Sequence, residues 1–134
     1  MPIKSCIVKD HMTRTLVTFK RETNILDAIH TLVEHRIAGA PVVDDAGNLI
    51  GMLSELDCLK VALQAGYYGE YGGPVADYMS GDVMTVNAEM SNVDLAQRFQ
   101  DSRYRRFTVT DKYRLVGQIS RRDALRALEV LSTG

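Results

Sequence analysis

The sequence predicts an α+β fold in which two β-α-β-β-α units pack with pseudo-twofold symmetry into one module. Three observations lead there. A shift of 67 positions lays Val8, Asp10, Met12 and Thr13 on Val75, Asp77, Met79 and Ser80, and further along Thr18 on Thr85, Asp27 on Asp94, Arg36 on Arg103 and Val42 on Val109. After one deletion in a turn the shift becomes 66, and Gly51-Met52-Leu53-Ser54-Glu55-Leu56-Asp57 returns as Gly117-Gln118-Ile119-Ser120-Arg121-Arg122-Asp123. In each copy this phrase follows a strand-like apolar run and precedes a helix-like one. An internal repeat of this length marks one structural unit used twice. The boundaries read as 8–66 for the first repeat, 67–74 for a connector and 75–132 for the second repeat.

In the first copy, residues 16–19 form a short β-type run. Asn24, with Asp27 three places on, then caps a helix whose apolar positions Ile25, Ala28, Ile29, Leu32 and Val33 share one face. Gly39 is expected to end that helix. Two strands, 40–43 and 49–53, flank the turn-forming stretch Asp44-Asp45-Ala46-Gly47-Asn48, and Ser54 opens a second helix to about Leu63. The second copy repeats the order, with strands at 83–86, 107–110 and 115–119 and helices from Ser91 and Ser120. Its turn, Asp111-Lys112-Tyr113-Arg114, is tighter, and its last helix carries Ala124, Leu125, Leu128 and Leu131 at helical spacing. Residues 64–74 hold four glycines and three tyrosines, Tyr67, Tyr68 and Tyr71, with little periodicity. They read as a connector whose tyrosines form a lid or a dimer contact.

A chain of 134 residues is long enough to bury a core without staples. Cys6 and Cys58 are sparse and have no metal-type spacing with His11, His30 or His35, so free thiols in an intracellular protein are expected and no metal site is. No apolar run approaches the roughly 20 residues of a membrane span, and the N-terminus lacks a signal-peptide pattern. A soluble cytoplasmic protein is the expectation. The formal net charge of -1 argues against a protein that coats nucleic acid. Charge is nonetheless uneven: residues 101–126 carry eight basic residues against Asp101, Asp111 and Asp123. Nucleic-acid binding there would show as salt-sensitive affinity for RNA or DNA.

Three stretches and their repeats resemble one family, the tandem CBS-domain pair or Bateman module, in its stand-alone prokaryotic form. They are Val8-Lys9-Asp10-His11-Met12-Thr13, His35-Arg36-Ile37-Ala38-Gly39-Ala40-Pro41-Val42-Val43-Asp44, and the phrase from Gly51 to Asp57. No one motif is specific; the ordered set, met twice, covers nearly the whole chain. The resemblance implies a non-enzymatic, regulatory and energy-sensing module without catalytic residues. Such modules bind an adenosine-containing ligand (AMP, ADP, ATP or S-adenosylmethionine) in the cleft between the repeats and signal to a partner protein. It also implies a homodimer formed through helices. The alternative is a ligand-free interaction or scaffold module that dimerises through its helices.

The Ser-x-x-Asp core of the phrase has an ordinary structural explanation as a capping box, which Asn24-x-x-Asp27 and Ser91-x-x-Asp94 also fit. At 54 and 120, however, a strand runs directly into a helix N-terminus, whose free N–H groups and dipole suit a phosphate. An aspartate on the same turn can accept from a ribose diol. The family pattern sets the base-lining residues of one repeat against the phrase of the other. One cleft then has Val17, Ile37, Ala38 and Pro41 at the base, with Arg105, Ile119, Ser120, Arg121, Arg122 and Asp123 near ribose and phosphates. The other, weaker cleft has Met84, Tyr104 and Thr108 at the base, with Ser54, Glu55 and Asp57 at the polar end. Small residues around Gly39 leave room for a flat base, and arginine forks suit phosphate oxygens. In the weaker cleft Arg105-Arg106-Phe107 crowd the base and Glu55 opposes a phosphate. The plain alternative for the arginines is a solvated basic face. His35 and Arg36 are expected to close a helix, Cys58 to be no nucleophile despite its first-turn position, and Met12 and Met79 to serve as core or wall residues.

Overall fold

The computed structural model describes residues 7–68 and 72–133, with side chains described for all of these except 65–68 and 130–133. The proposed lid or dimer role of Tyr67, Tyr68 and Tyr71 lies outside that description, as does Cys6. The elements run β1 (Phe19–Lys20), α1 (Ile25–His35), β2 (Gly39–Val43), β3 (Leu49–Ser54), α2 (Glu55–Tyr68), β4 (Thr85–Asn87), α3 (Asn92–Gln100), β5 (Arg106–Asp111), β6 (Arg114–Ser120) and α4 (Arg121–Thr133). A 3-10 turn precedes each set, at Val8–Asp10 and Val75–Asp77. The β-α-β-β-α order holds twice. Each copy forms a three-stranded sheet, β1-β2-β3 and β4-β5-β6, with the first pair parallel and the second antiparallel.

The chain divides into two compact units, Val17–Val83 and Met1–Leu16 with Met84–Gly134. These are offset from the sequence repeats by one segment. The stretch around Met12 belongs with β4–β6, while the matching stretch around Met79 belongs with β1–β3. Thr13 exchanges backbone hydrogen bonds with Gln118 of β6 (2.8 and 3.0 Å), and Ser80 does so with Met52 of β3 (2.9 Å each way). This explains the glycine that opens each phrase. A Cβ on Gly51 would stand 2.8 Å from the Met79 sulfur and from the Ser80 carbonyl; one on Gly117 would stand 2.6 Å from the Met12 sulfur and 2.7 Å from the Thr13 carbonyl. Only glycine lets the extra segment lie so close. The same bonds explain Pro41 inside β2. Its partner Met52 turns both backbone groups toward Ser80, and β1 pairs only with Val42 and Val43, so no neighbour needs the N–H that proline lacks.

Each unit has its own core. In the first, Ile25, Ala28 and Leu32 of α1 pack with Val42, Leu53, Val61 and Val75; in the second, Leu95, Phe107, Val109, Ile119 and Ala124 pack with Val8. Fully burying a side chain such as Phe107 or Leu95 contributes about 1.5–3 kcal/mol. Met12 and Met79 pack against these cores, as expected.

Several boundaries differ from the sequence reading: β4 lies at Thr85–Asn87 rather than 83–86, the residues that pair with Thr108–Thr110, and three more differences have a local cause. β1 lies at Phe19–Lys20 rather than 16–19, because only these residues reach Val42 and Val43. Arg36, at φ 54°, ends α1 in the left-handed conformation, so Gly39 is free to begin β2. Finally, α2 continues to Tyr68, since the helix formers Gln64 and Ala65 carry it through Gly66 at a cost of about 1 kcal/mol.

Candidate functional site

Both phrases fold into reciprocal capping boxes. In the first unit the Ser54 N–H donates to Asp57 Oδ2 (2.9 Å), and the Asp57 N–H donates to Ser54 Oγ (3.2 Å). In the second, the Ser120 N–H donates to Asp123 Oδ2 (2.9 Å) and the Asp123 N–H to Ser120 Oγ (3.1 Å). Asn24 and Ser91 cap α1 and α3, accepting from the N–H groups of Leu26 and Asp94. The cap thus accounts for the Ser-x-x-Asp spacing in both copies. What differs is what remains. The Ser54 hydroxyl also donates to Asp57 Oδ2 (2.9 Å), whereas Ser120 makes no such bond and Asp123 Oδ1 lies 3.7 Å from an Arg126 guanidinium nitrogen.

Around the α4 N-terminus the second unit opens a groove of about 780 Å³ lined by Arg105, Arg106, Arg121, Arg122 and Arg126, with Ser120 and, as its one acid among the described residues, Glu129. Strand pairing sets Arg106 opposite Ser120, and the Arg121 N–H donates to the Arg105 carbonyl (3.0 Å), so β5, β6 and α4 together fix its floor. The Arg121 side chain turns back, donating from Nε to the Tyr104 carbonyl (3.1 Å) and from a terminal nitrogen to the Arg103 carbonyl (3.4 Å). It ties down the loop that presents Arg105. Tyr104 is held from its other end, its ring 5.4 Å from that of Phe107. Among the described residues, no carboxylate lies within ion-pair distance of Arg105, Arg106 or Arg122, all exposed. Arg106 and Arg126 were not among the candidate site residues. The spacing of Arg122 and Arg126, one helical turn apart, was the available signal for the second.

The other sequence-predicted residues occupy the following places. Val17 and Ile37 are half-buried against the first core; Ala38 is exposed, its carbonyl accepting from the Glu55 N–H (2.9 Å); and Pro41 is buried. Ile119 is fully buried in the second core, so its side chain is a support for the phrase. Met84 and Tyr104 are exposed, and Thr108 is buried. His35 Nδ1 lies 3.0 Å from the Thr31 carbonyl at the end of α1, in keeping with a helix-closing role. Burial pushes the Cys58 thiol above its ordinary pKa, with Asp57 and Glu55 adding to the shift. The first-turn position therefore does not activate it. No group of three His, Cys, Asp or Glu side chains suited to a metal ion occurs among the described residues, and no described helix is long and apolar enough to cross a membrane.

Two α+β units, each presenting a strand-to-helix phrase, define the class: a tandem-repeat module with its polar chemistry at the start of α2 and α4. The CBS domain family model matches residues 8–64 and again residues 75–130, and the chain belongs to that family as a CBS pair. The chain is 32% identical over 114 residues to the CBS domain-containing protein YhcV of Bacillus subtilis, covering 84% of this chain and 79% of that one. Protein MJ1225 of Methanocaldococcus jannaschii is 29% identical over 121 residues, but the match spans only 42% of its length. Among solved structures, CBSX2 in complex with AMP superimposes with a TM-score of 0.78 at 31% identity, over 96% of this chain and 99% of that chain. The CBSX2 protein is from Arabidopsis thaliana.

Proposed function

We propose that the protein is a non-enzymatic regulatory module that binds an adenosine-containing nucleotide and passes the binding event to a partner protein. The observation that carries this reading is the AMP complex of CBSX2, a relative alike in fold across nearly the whole chain. In our assignment Val17, Ile37, Ala38 and Pro41 receive the adenine, Asp123 the ribose, and Ser120 with Arg105 the first phosphate. One Asp123 oxygen is committed to the helix cap, so the ribose hydroxyls meet Oδ1. Arg121 serves mainly by holding the loop beside Arg105. Arg122 stands at the outer phosphate side. A second, weaker site would use Met84 and Tyr104 with Ser54 and Asp57. There the serine hydroxyl is turned onto its own aspartate, and Glu55 opposes the ligand's charge.

The same reading includes a homodimer formed through the exposed helix faces and a cytoplasmic location. Ligand binding can shift the arrangement of such an assembly only if one arrangement binds more tightly. The test is a thermal-unfolding panel with AMP, ADP, ATP, NAD and S-adenosylmethionine. A ligand bound to the folded state adds to its stability by mass action, by about 2.7 kcal/mol at a hundred times its Kd, and so raises the midpoint. We expect the adenine nucleotides to raise it. No response to any member would overturn the reading in favour of a ligand-free scaffold.

A further inference from the structure

We infer that the groove at the start of α4 is built for a chain of phosphates, so that the ligand class is a nucleoside triphosphate rather than a monophosphate. The inference rests on the proposed adenosine site only for where the base lies. Its strongest support is an internal control. Where the second unit has Arg105, Arg106, Arg121, Arg122 and Arg126, the matching positions of the first have Ala38, Gly39, Glu55, Leu56 and Lys60. Both units form the same sheet and the same capping box, so the fold does not demand the arginines.

Nor do the arginines serve one another. Five guanidinium groups gathered in one groove repel, and among the described residues the acids placed beside them are Glu129, which lines the groove, and the half-buried Asp123, 3.7 Å from Arg126. Arg105, Arg106 and Arg122 are exposed and have no carboxylate partner among the described residues. A single phosphate is satisfied by one or two bidentate forks. Arg105 and the Ser120 hydroxyl already supply that. Arg106, on the strand beside Ser120, and Arg122 and Arg126, a turn apart on α4, extend the positive surface beyond it. The groove's net charge of five arginines against one glutamate approaches the charge of about -4 on a free triphosphate.

The experiment is isothermal titration of the full chain with AMP, ADP, ATP, GTP and inorganic tripolyphosphate at fixed salt, repeated on Arg106→Gln and on Arg106→Gln/Arg122→Gln. Each residue is exposed, so the variants should remain folded. We expect ATP to bind about ten-fold or more tighter than AMP, with ADP between them, because each added phosphate gains charge-assisted hydrogen bonds. The ATP-to-AMP affinity ratio should fall toward one in the double variant, and tripolyphosphate should compete with ATP. Equal or tighter binding of AMP, or a ratio unmoved by the substitutions, would overturn the inference while leaving the adenosine reading intact. Tripolyphosphate binding that is sensitive to the substitutions, with ATP and GTP bound alike, would uphold the groove and overturn the adenosine reading instead.

Discussion

Asp57 and Asp123 do the same structural work, each accepting the N–H of its serine, and differ in what their surroundings leave available. At Asp123 the serine hydroxyl is not turned onto the carboxylate, and that serine borders a groove lined by five arginines; at Asp57 the hydroxyl is turned inward, and the positions matching those arginines carry one basic residue, Lys60. The paired phrases were visible in sequence, and so was the contrast of Glu55-Leu56 with Arg121-Arg122. The fixing of Arg121 on two carbonyls was not, because a side chain's choice among nearby acceptors depends on loop geometry that residue type does not encode. Asn92 makes a second residue-scale point. It takes the place that buried Ile25 has in the first unit, is itself fully buried, and neither of its amide atoms has a hydrogen-bond partner. An unsatisfied buried amide costs about 1–3 kcal/mol. Asn92→Leu, of similar shape, should therefore raise stability by about that amount, read as a higher urea midpoint. A lowered midpoint would show that the amide contributes favourably.

At the scale of elements, the capped helices and the hairpins were legible because their signals are local. Apolar residues at helical spacing and a polar cap define α1, and the predicted Asp111–Arg114 turn appears with Lys112 and Tyr113 both at positive φ. One feature of the apolar pattern has another explanation. Val33 was placed on the core face of α1, yet it is 71% exposed, and with Leu59 it lines an apolar groove of about 550 Å³ between α1 and α2. Leu56, Leu59 and Leu63 are exposed along α2 as well. Periodicity shows that a face is apolar but not what covers it. A second copy is the occupant in our reading. Leu59→Glu/Leu63→Glu should then reduce the mass found by light scattering from two chains to one, without loss of helix content by circular dichroism. A wild-type chain that is already monomeric at high concentration would contradict that reading.

For the whole molecule, the repeat and its family were readable from the ordered motifs, since both copies keep them. The exchange of leading segments was not. Val8 to Thr13 and Val75 to Ser80 look like the first part of their own repeats, but each joins the compact unit built around the other repeat's sheet. Local patterns cannot express such a long-range choice, although Gly51 and Gly117 carried its trace. An alanine at either would collide with the incoming methionine and carbonyl. In our reading the two phrases, alike in fold, are unlike in binding, and substitution of the two aspartates tests this directly. Asp57→Ala and Asp123→Ala each remove a cap, at a similar cost of about 1 kcal/mol in stability. Calorimetric titration with AMP should nevertheless show binding weakened by about ten-fold or more in Asp123→Ala and much less in Asp57→Ala. Equal losses in the two variants, or no loss in either, would contradict the account.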